Sequence, residues 1–108
     1  MEKINGNTNC ILKYYTTKTN AIGEGVKEWV EYITLKDGFL DMLNYSKEYV
    51  NYNKATAEST NVFICDYVSI DKKPEELRAT INGVDYDVTF IDDPMGLHYH
   101  LEVFLKAV

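Results

Sequence analysis

Hydrophobic and polar residues alternate most cleanly near the end of the chain. From Val84, the residues Val84, Tyr86, Val88 and Phe90 point one way and Asp85, Asp87 and Thr89 the other. That period of two predicts a strand with one covered face. The stretch "LHYHLEVFLKAV" repeats it, with Leu97, Tyr99, Leu101, Val103 and Leu105 expected inward. His98, His100, Glu102, Phe104 and Lys106 are then expected outward. Asn82-Gly83, between strand-like flanks, predicts a tight hairpin turn, because both residues tolerate positive φ. "DDPMG" predicts a second turn: Asp caps its own backbone, Pro presets φ and Gly accepts positive φ.

The earlier part of the chain carries weaker signals of the same kind. "NCILKYYTT" and "VKEWVEYITLK" are rich in β-branched and aromatic residues, and the Gly-containing "TKTNAIGEG" separates them, which predicts two strands and a loop. Residues 36–61 change character and read as a long connection, a feature that is uncommon in so small a domain and usually functional. Within it, Ser46 can cap a short helix that puts Tyr49 and Tyr52 on one side, and "NKATAESTN" reads as exposed loop. "VFICDYV" predicts a buried strand, and Pro74 makes "DKKPEEL" a loop. The expected fold class is all-β: a small antiparallel β-barrel or sandwich of about six strands, with one short helix and a long loop after strand two. With no repeat and no Pro/Gly/Ser linker, residues 1–108 are expected to form a single domain.

Composition narrows the partners. The 108 residues carry a net charge of −6, with 11 basic against 17 acidic residues, and Arg78 is the sole arginine. Gripping nucleic acid requires Lys and Arg to neutralise phosphates, so sequence-specific DNA binding is not expected. An acidic surface that DNA passes without sticking fits the balance, because like charges repel. The polar start "MEKINGNTNC" and the short apolar runs predict neither a signal peptide nor a membrane helix. Cys10 and Cys65 lie in separate apolar runs, which is neither a zinc nor a redox spacing; two reduced, buried thiols of a cytoplasmic protein are expected.

The candidate chemistry is thin. His98 and His100, about 7 Å apart on one strand face with Glu102 beyond, could share a metal near Asp92 and Asp93 and so serve a metal-dependent hydrolase. The same residues also suit a turn and the solvated face of a hairpin, which is the reading adopted. Asp85 and Asp87 are expected to form an acidic strand face without catalytic partners. Ser46 and Ser59 sit in no nucleophile motif, and the chain has no G-x-G-x-x-G or phosphate loop. No catalytic residue, metal or cofactor is therefore expected, and the chain is not read as an enzyme. Tyrosines in "YSKEYVNY" suit a partner contact or cover for the short helix.

The order of these elements resembles the head–tail joining (head-closure, or stopper) proteins of tailed bacteriophages and prophages. The resemblance spans residues 8–107. It rests on Trp29 in "EWVEYITL" after a Gly-containing loop, Glu48 in the "S-K-E-Y" connection, the hairpin "ATINGVDYDV", and the Asp93-Pro94 turn. The acidic, Tyr-rich connection and the scarcity of arginine depart from the family pattern. The resemblance implies a barrel that assembles as a ring under the portal or adaptor after packaging, closes the DNA exit channel, and offers a docking surface to the tail protein. It also implies a virion neck location after assembly in the bacterial host cytoplasm. Tyr45, Lys47, Glu48, Tyr49, Tyr52 and Lys54, in the long connection, would then be the channel and partner residues. Another neck role (adaptor, tail terminator) and a small ligand-binding β-barrel are the alternatives.

Overall fold

A computed structural model describes residues 3–19, 21–42 and 59–108. Six antiparallel strands run β1 (Thr8–Thr19), β2 (Gly25–Met42), β3 (Asn61–Asp66), β4 (Leu77–Ile81), β5 (Val84–Asp92) and β6 (His100–Ala107). They close into a barrel in the order β1-β2-β3-β6-β5-β4. The expected all-β class is the one observed, as a closed barrel. Closure gives each strand two neighbouring strands, although β2 exchanges one for the other along its length. The short helix expected around Ser46 lies outside the described residues. Among those that are described, helical turns are confined to Pro74–Glu76 and Pro94–Gly96.

The barrel is filled by one face of each strand. Cys10, Leu12, Leu35, Phe63, Ala79, Val103 and Leu105 are fully buried, and Cys65 and Ile81 are nearly so. Both cysteines are free, and burial pushes each thiol up to about 12. The β4–β5 turn forms as expected, with Asn82 at φ 51° and Gly83 at φ 79°, the two positive values a tight hairpin needs.

Strand β2 corrects the reading of residues 36–61. Its 18 residues run on through "KDGFLDM", so the connection to β3 begins only after Met42. β2 pairs with β1 as far as Gly38 and with β3 from Phe39 onward. The change of partner requires a bend, and Asp37 supplies it at φ 55°. Asn9 Oδ1 accepts the Asp37 N–H at 3.1 Å, and the Asp37 carbonyl accepts from Gly6 N–H at 2.9 Å. Two glycines make room for the crossing. A Cβ on Gly38 would stand 2.5 Å from both the Ile64 carbonyl oxygen and the Phe63 ring, and one on Gly6 would stand 2.0 Å from the Gly38 oxygen.

A bulge corrects the alternation in β5. Val88 faces Leu105 and Phe90 faces Phe104, so Thr89 is an extra residue. An added residue shifts every later side chain to the other face. Phe90 therefore meets the ring of Phe104 at 6.0 Å, while Ile91 turns to the core. The Thr89 hydroxyl donates to the Phe104 carbonyl at 3.0 Å and accepts from Ser59 Oγ at 2.5 Å. Ser59, expected in exposed loop, is consequently buried at 5%, and Asn61 already belongs to β3.

Candidate interaction surface

The histidine pair is split by the backbone. His98 has φ 59° and precedes β6, whereas His100 opens the strand, so the two do not share a strand face. Leu97 and Tyr99, expected inward, are 46% and 54% exposed for the same reason. The turn after Pro94 brings positive φ at Met95, Gly96 and His98, which no alternating strand allows. His98 belongs instead to the turn. Its Nδ1 lies 2.5 Å from Asp93 Oδ2, its N–H donates to Asp93 Oδ1 at 2.9 Å, and its ring stacks on Tyr67 at 4.3 Å. His100 Nε2 lies 2.9 Å from Glu102 Oε2. Each imidazole thus has its own carboxylate. Among the described residues no three His, Cys, Asp or Glu side chains are grouped to hold a metal. Asp92 sits beside this turn with its pKa raised, first by burial and then by Glu102 and Asp93, against a lowering by His100.

The surface that stands out is an arm. β1 pairs with β4 only up to Tyr14, and β2 pairs with β3 only from Phe39. Beyond the barrel, residues 15–19 and 25–29 pair with each other alone. Every residue from 21 to 29 is exposed. The molecule measures 51 × 32 × 26 Å. Cross-strand contacts hold the arm's outer face: Tyr15 meets Trp29 edge-on at 5.4 Å, and Lys27 lies 4.3 Å over the Tyr15 ring. Arg78 of β4 places its guanidinium 4.7 Å over Trp29 and reaches Asp87 at 3.9 Å. Ile22 at the tip is 78% exposed, Val26 46% and Trp29 37%.

The loop between β3 and β4 ties the root of this arm to a cleft. Tyr14 and Tyr32 meet edge-on at 6.1 Å, and Lys72 lies 4.3 Å from the first ring and 5.6 Å from the second. The Tyr32 hydroxyl donates to Asp71, which holds the Asp71 carboxyl below and the Tyr32 hydroxyl above their ordinary values. The same loop walls a cleft of ≈ 520 Å³. Ile70, Phe90, Ile91 and Leu101 form its apolar floor, and Lys72, Lys73 and Asp93 its charged rim. Arm, cleft and the 93–98 turn all lie at one end of the barrel, since β3 ends, β4 begins, β5 ends and β6 begins there.

Tyr45, Lys47, Glu48, Tyr49, Tyr52 and Lys54 lie outside the described residues. The arm was present in the sequence as Lys27-x-Trp29-x-Glu31 opposite Lys13-x-Tyr15-x-Thr17, polar and aromatic on one face. Nothing in that pattern says that the opposite face also lacks cover.

No protein-family model matches the chain, and no curated protein does. Solved structures do. The solution structure of protein SF1141 from Shigella flexneri 2a is similar with a TM-score of 0.72 at 17% identity, covering 99% of this chain and 96% of that one. A chain in the virion of a native gene transfer agent particle is similar with a TM-score of 0.55 at 9% identity, covering 94% of each. At these identities the shared property is the fold. The six-stranded barrel of this protein thus recurs in a virion particle. No helix among the described residues is long and apolar enough to cross a membrane.

Proposed function

We propose that this chain is a structural protein of a tailed phage or prophage virion, acting as a head–tail connector of the head-closure type. The observation that carries the reading is the barrel with a long segment inserted between β2 and β3, whose fold recurs end to end in a gene transfer agent virion. Copies assemble as a ring beneath the portal or adaptor. The segment between Met42 and Ser59, with Tyr45, Lys47, Glu48, Tyr49, Tyr52 and Lys54, is assigned to the channel and its partners. Closure is steric. Segments of neighbouring copies meet in the lumen and block the exit, and their displacement releases the genome. A net charge of −6 supports a conduit, because an acidic lining lets DNA slide past without condensing on it. The barrel interior contributes rigidity, being filled by Leu12, Leu35, Phe63 and Leu105.

The test is deletion of the gene from an inducible prophage, followed by electron microscopy and nuclease protection of packaged DNA. Full-sized heads that lack tails and lose their DNA are expected, with rescue by the gene in trans. Normal tailed, infectious particles from the deletion strain would overturn the reading.

A further inference from the structure

Two features of the barrel's arm end are complementary in chemistry, an apolar-tipped arm and an apolar cleft with a cationic rim. The arm is a two-stranded ribbon, and its tip lies several residues beyond the barrel, at about 3.3 Å per residue. It carries Ile22 and Val26 into solvent, with Glu24 between them. A two-stranded hairpin alone is marginally stable, and exposed apolar residues at its tip gain from burial. The cleft offers the converse: an apolar floor of Ile70, Phe90, Ile91 and Leu101 and an exposed cation, Lys73, at its rim. Its volume lies in the range, roughly 300–1,000 Å³, that encloses a short apolar segment. The arm's own root contacts the cleft-forming loop through Lys72, Tyr14, Tyr32 and Asp71, while Ile22 is 78% exposed and no residue of 21–29 lines the cleft, so the tip does not fill its own cleft.

We infer that the arm tip of one copy seats in the end cleft of the next, Ile22 entering the apolar floor and Glu24 approaching Lys73. This contact is heterologous, with a different surface from each copy, and such contacts generate rings or filaments rather than closed dimers. Because one loop both clamps the arm and walls the cleft, the angle between successive copies is built into each subunit. The inference rests on the ring reading above and names the surfaces that make the ring.

The experiment uses the full chain with Glu24→Cys and Lys73→Cys together, and each alone. Cys10 and Cys65 are buried with thiols pushed up to about 12, so they stay silent under mild oxidation. A small interface is weak, so cross-linking is run at up to about 1 mM protein. The double variant is expected to give a ladder of covalent oligomers beyond the dimer, while either single variant gives none. Ile22→Asp, whose site is 78% exposed, is expected to weaken self-association about tenfold or more without moving the thermal melt. A dimer from Glu24→Cys alone would show arm-to-arm pairing and overturn the inference. So would the absence of a ladder from folded double variant. If oligomers persist by light scattering without the ladder, the ring reading stands and only the arm–cleft contact fails. If the deletion strain makes normal particles while the ladder forms, the contact stands and the virion reading fails.

Discussion

Strands β1 and β2 are one continuous ribbon that lives in two environments. In the barrel, Cys10, Leu12 and Leu35 are fully buried, and the opposite face of the ribbon is solvated. In the arm, the same two strands keep their ladder from Tyr15–Trp29 to Thr19–Gly25, and both faces of Gly25–Trp29 are exposed. The β1–β2 ladder is common to both halves, and the extra ladder to β4 at Ile11–Tyr14 does not set most of the difference. Burial does. A ladder bond contributes about 1 kcal/mol net, whereas covering a large apolar side chain contributes about 1.5–3 kcal/mol. The barrel half is therefore expected to carry stability, and the arm half to carry contacts with other molecules.

The hardest test of that division is a charge placed in each half. Leu101 is 3% exposed and forms part of both the core and the cleft floor. Leu101→Asp buries an unpaired carboxylate and is expected to abolish the cooperative thermal transition seen by circular dichroism. A charge at Ile22 is expected to leave it unchanged. A folded Leu101→Asp would mean that the core has been placed on the wrong strand face.

Next in size is a matched pair of truncations on β2. Leu35→Ala in the barrel is expected to cost about 2–5 kcal/mol in denaturant melts. Val26→Ala in the arm is expected to stay within about 0.5 kcal/mol. Equal costs would show that the arm is packed against something in the free subunit.

A pH series sharpens the same contrast. The Cys10 and Cys65 thiols rise from 9.0 to about 12 chiefly through burial. A raised folded pKa contributes stability that is complete below the unfolded value, near 9, and is lost as pH climbs toward 12. Melting temperature is expected to hold below pH 8 and fall above pH 9, and a Cys10→Ser, Cys65→Ser double variant removes that slope. At pH 8 only about one buried thiol in ten thousand is thiolate, so alkylation of native protein is expected to follow unfolding.

The division between halves also marks what was legible in the sequence. The β4–β5 hairpin was, because Asn82-Gly83 has a backbone requirement few other pairs meet. The inward positions Tyr86 and Val88 of β5 and those of β6 from Leu101 were too, whereas Val84, expected on the same covered face, is 51% exposed. Three features hid behind local rules that tertiary structure overrode. Asp37-Gly38 continues a strand that changes partners, although its composition suggests a break. Thr89 adds a residue, and its need for hydroxyl partners appears only once Ser59 and Phe104 are beside it. His98 takes a left-handed conformation inside an apparently perfect alternation, which dissolves the histidine pair. The two-sided exposure of the arm could not be read at all, since alternation reports one polar face and says nothing of what lies over the other.

Trp29 sits where the two halves meet, and its removal has a smaller effect. Trp29→Ala loses the edge-on contact with Tyr15 and uncovers the Arg78 guanidinium, whose buried Nε has no hydrogen-bond partner among the described residues. The expected cost is about 1 kcal/mol by far-ultraviolet circular dichroism in denaturant. Loss of more than about 3 kcal/mol would make the arm's root part of the core.

The smallest effect belongs to the 92–102 turn, where the sign matters more than the size. Asp92 is held above its usual 3.8 by burial first, then by Glu102 and Asp93, with His100 pulling the other way. Its proton therefore stabilises the fold below about pH 4, and that contribution is lost as pH rises through the folded value. At neutral pH the ionised Asp92 opposes folding slightly, so Asp92→Asn is expected to raise the melting temperature at pH 7. The gain is expected to shrink in high salt, as screened charges require, and to vanish near pH 3, where wild type is itself protonated. His98→Gln and His100→Gln are expected to stay within about 0.5 kcal/mol, because each imidazole pairs with a single carboxylate that solvent still reaches. A loss of stability in Asp92→Asn at pH 7 would instead mean that the carboxylate accepts a bond the fold needs. The turn would then belong with the barrel rather than with the solvated surface that the arm typifies.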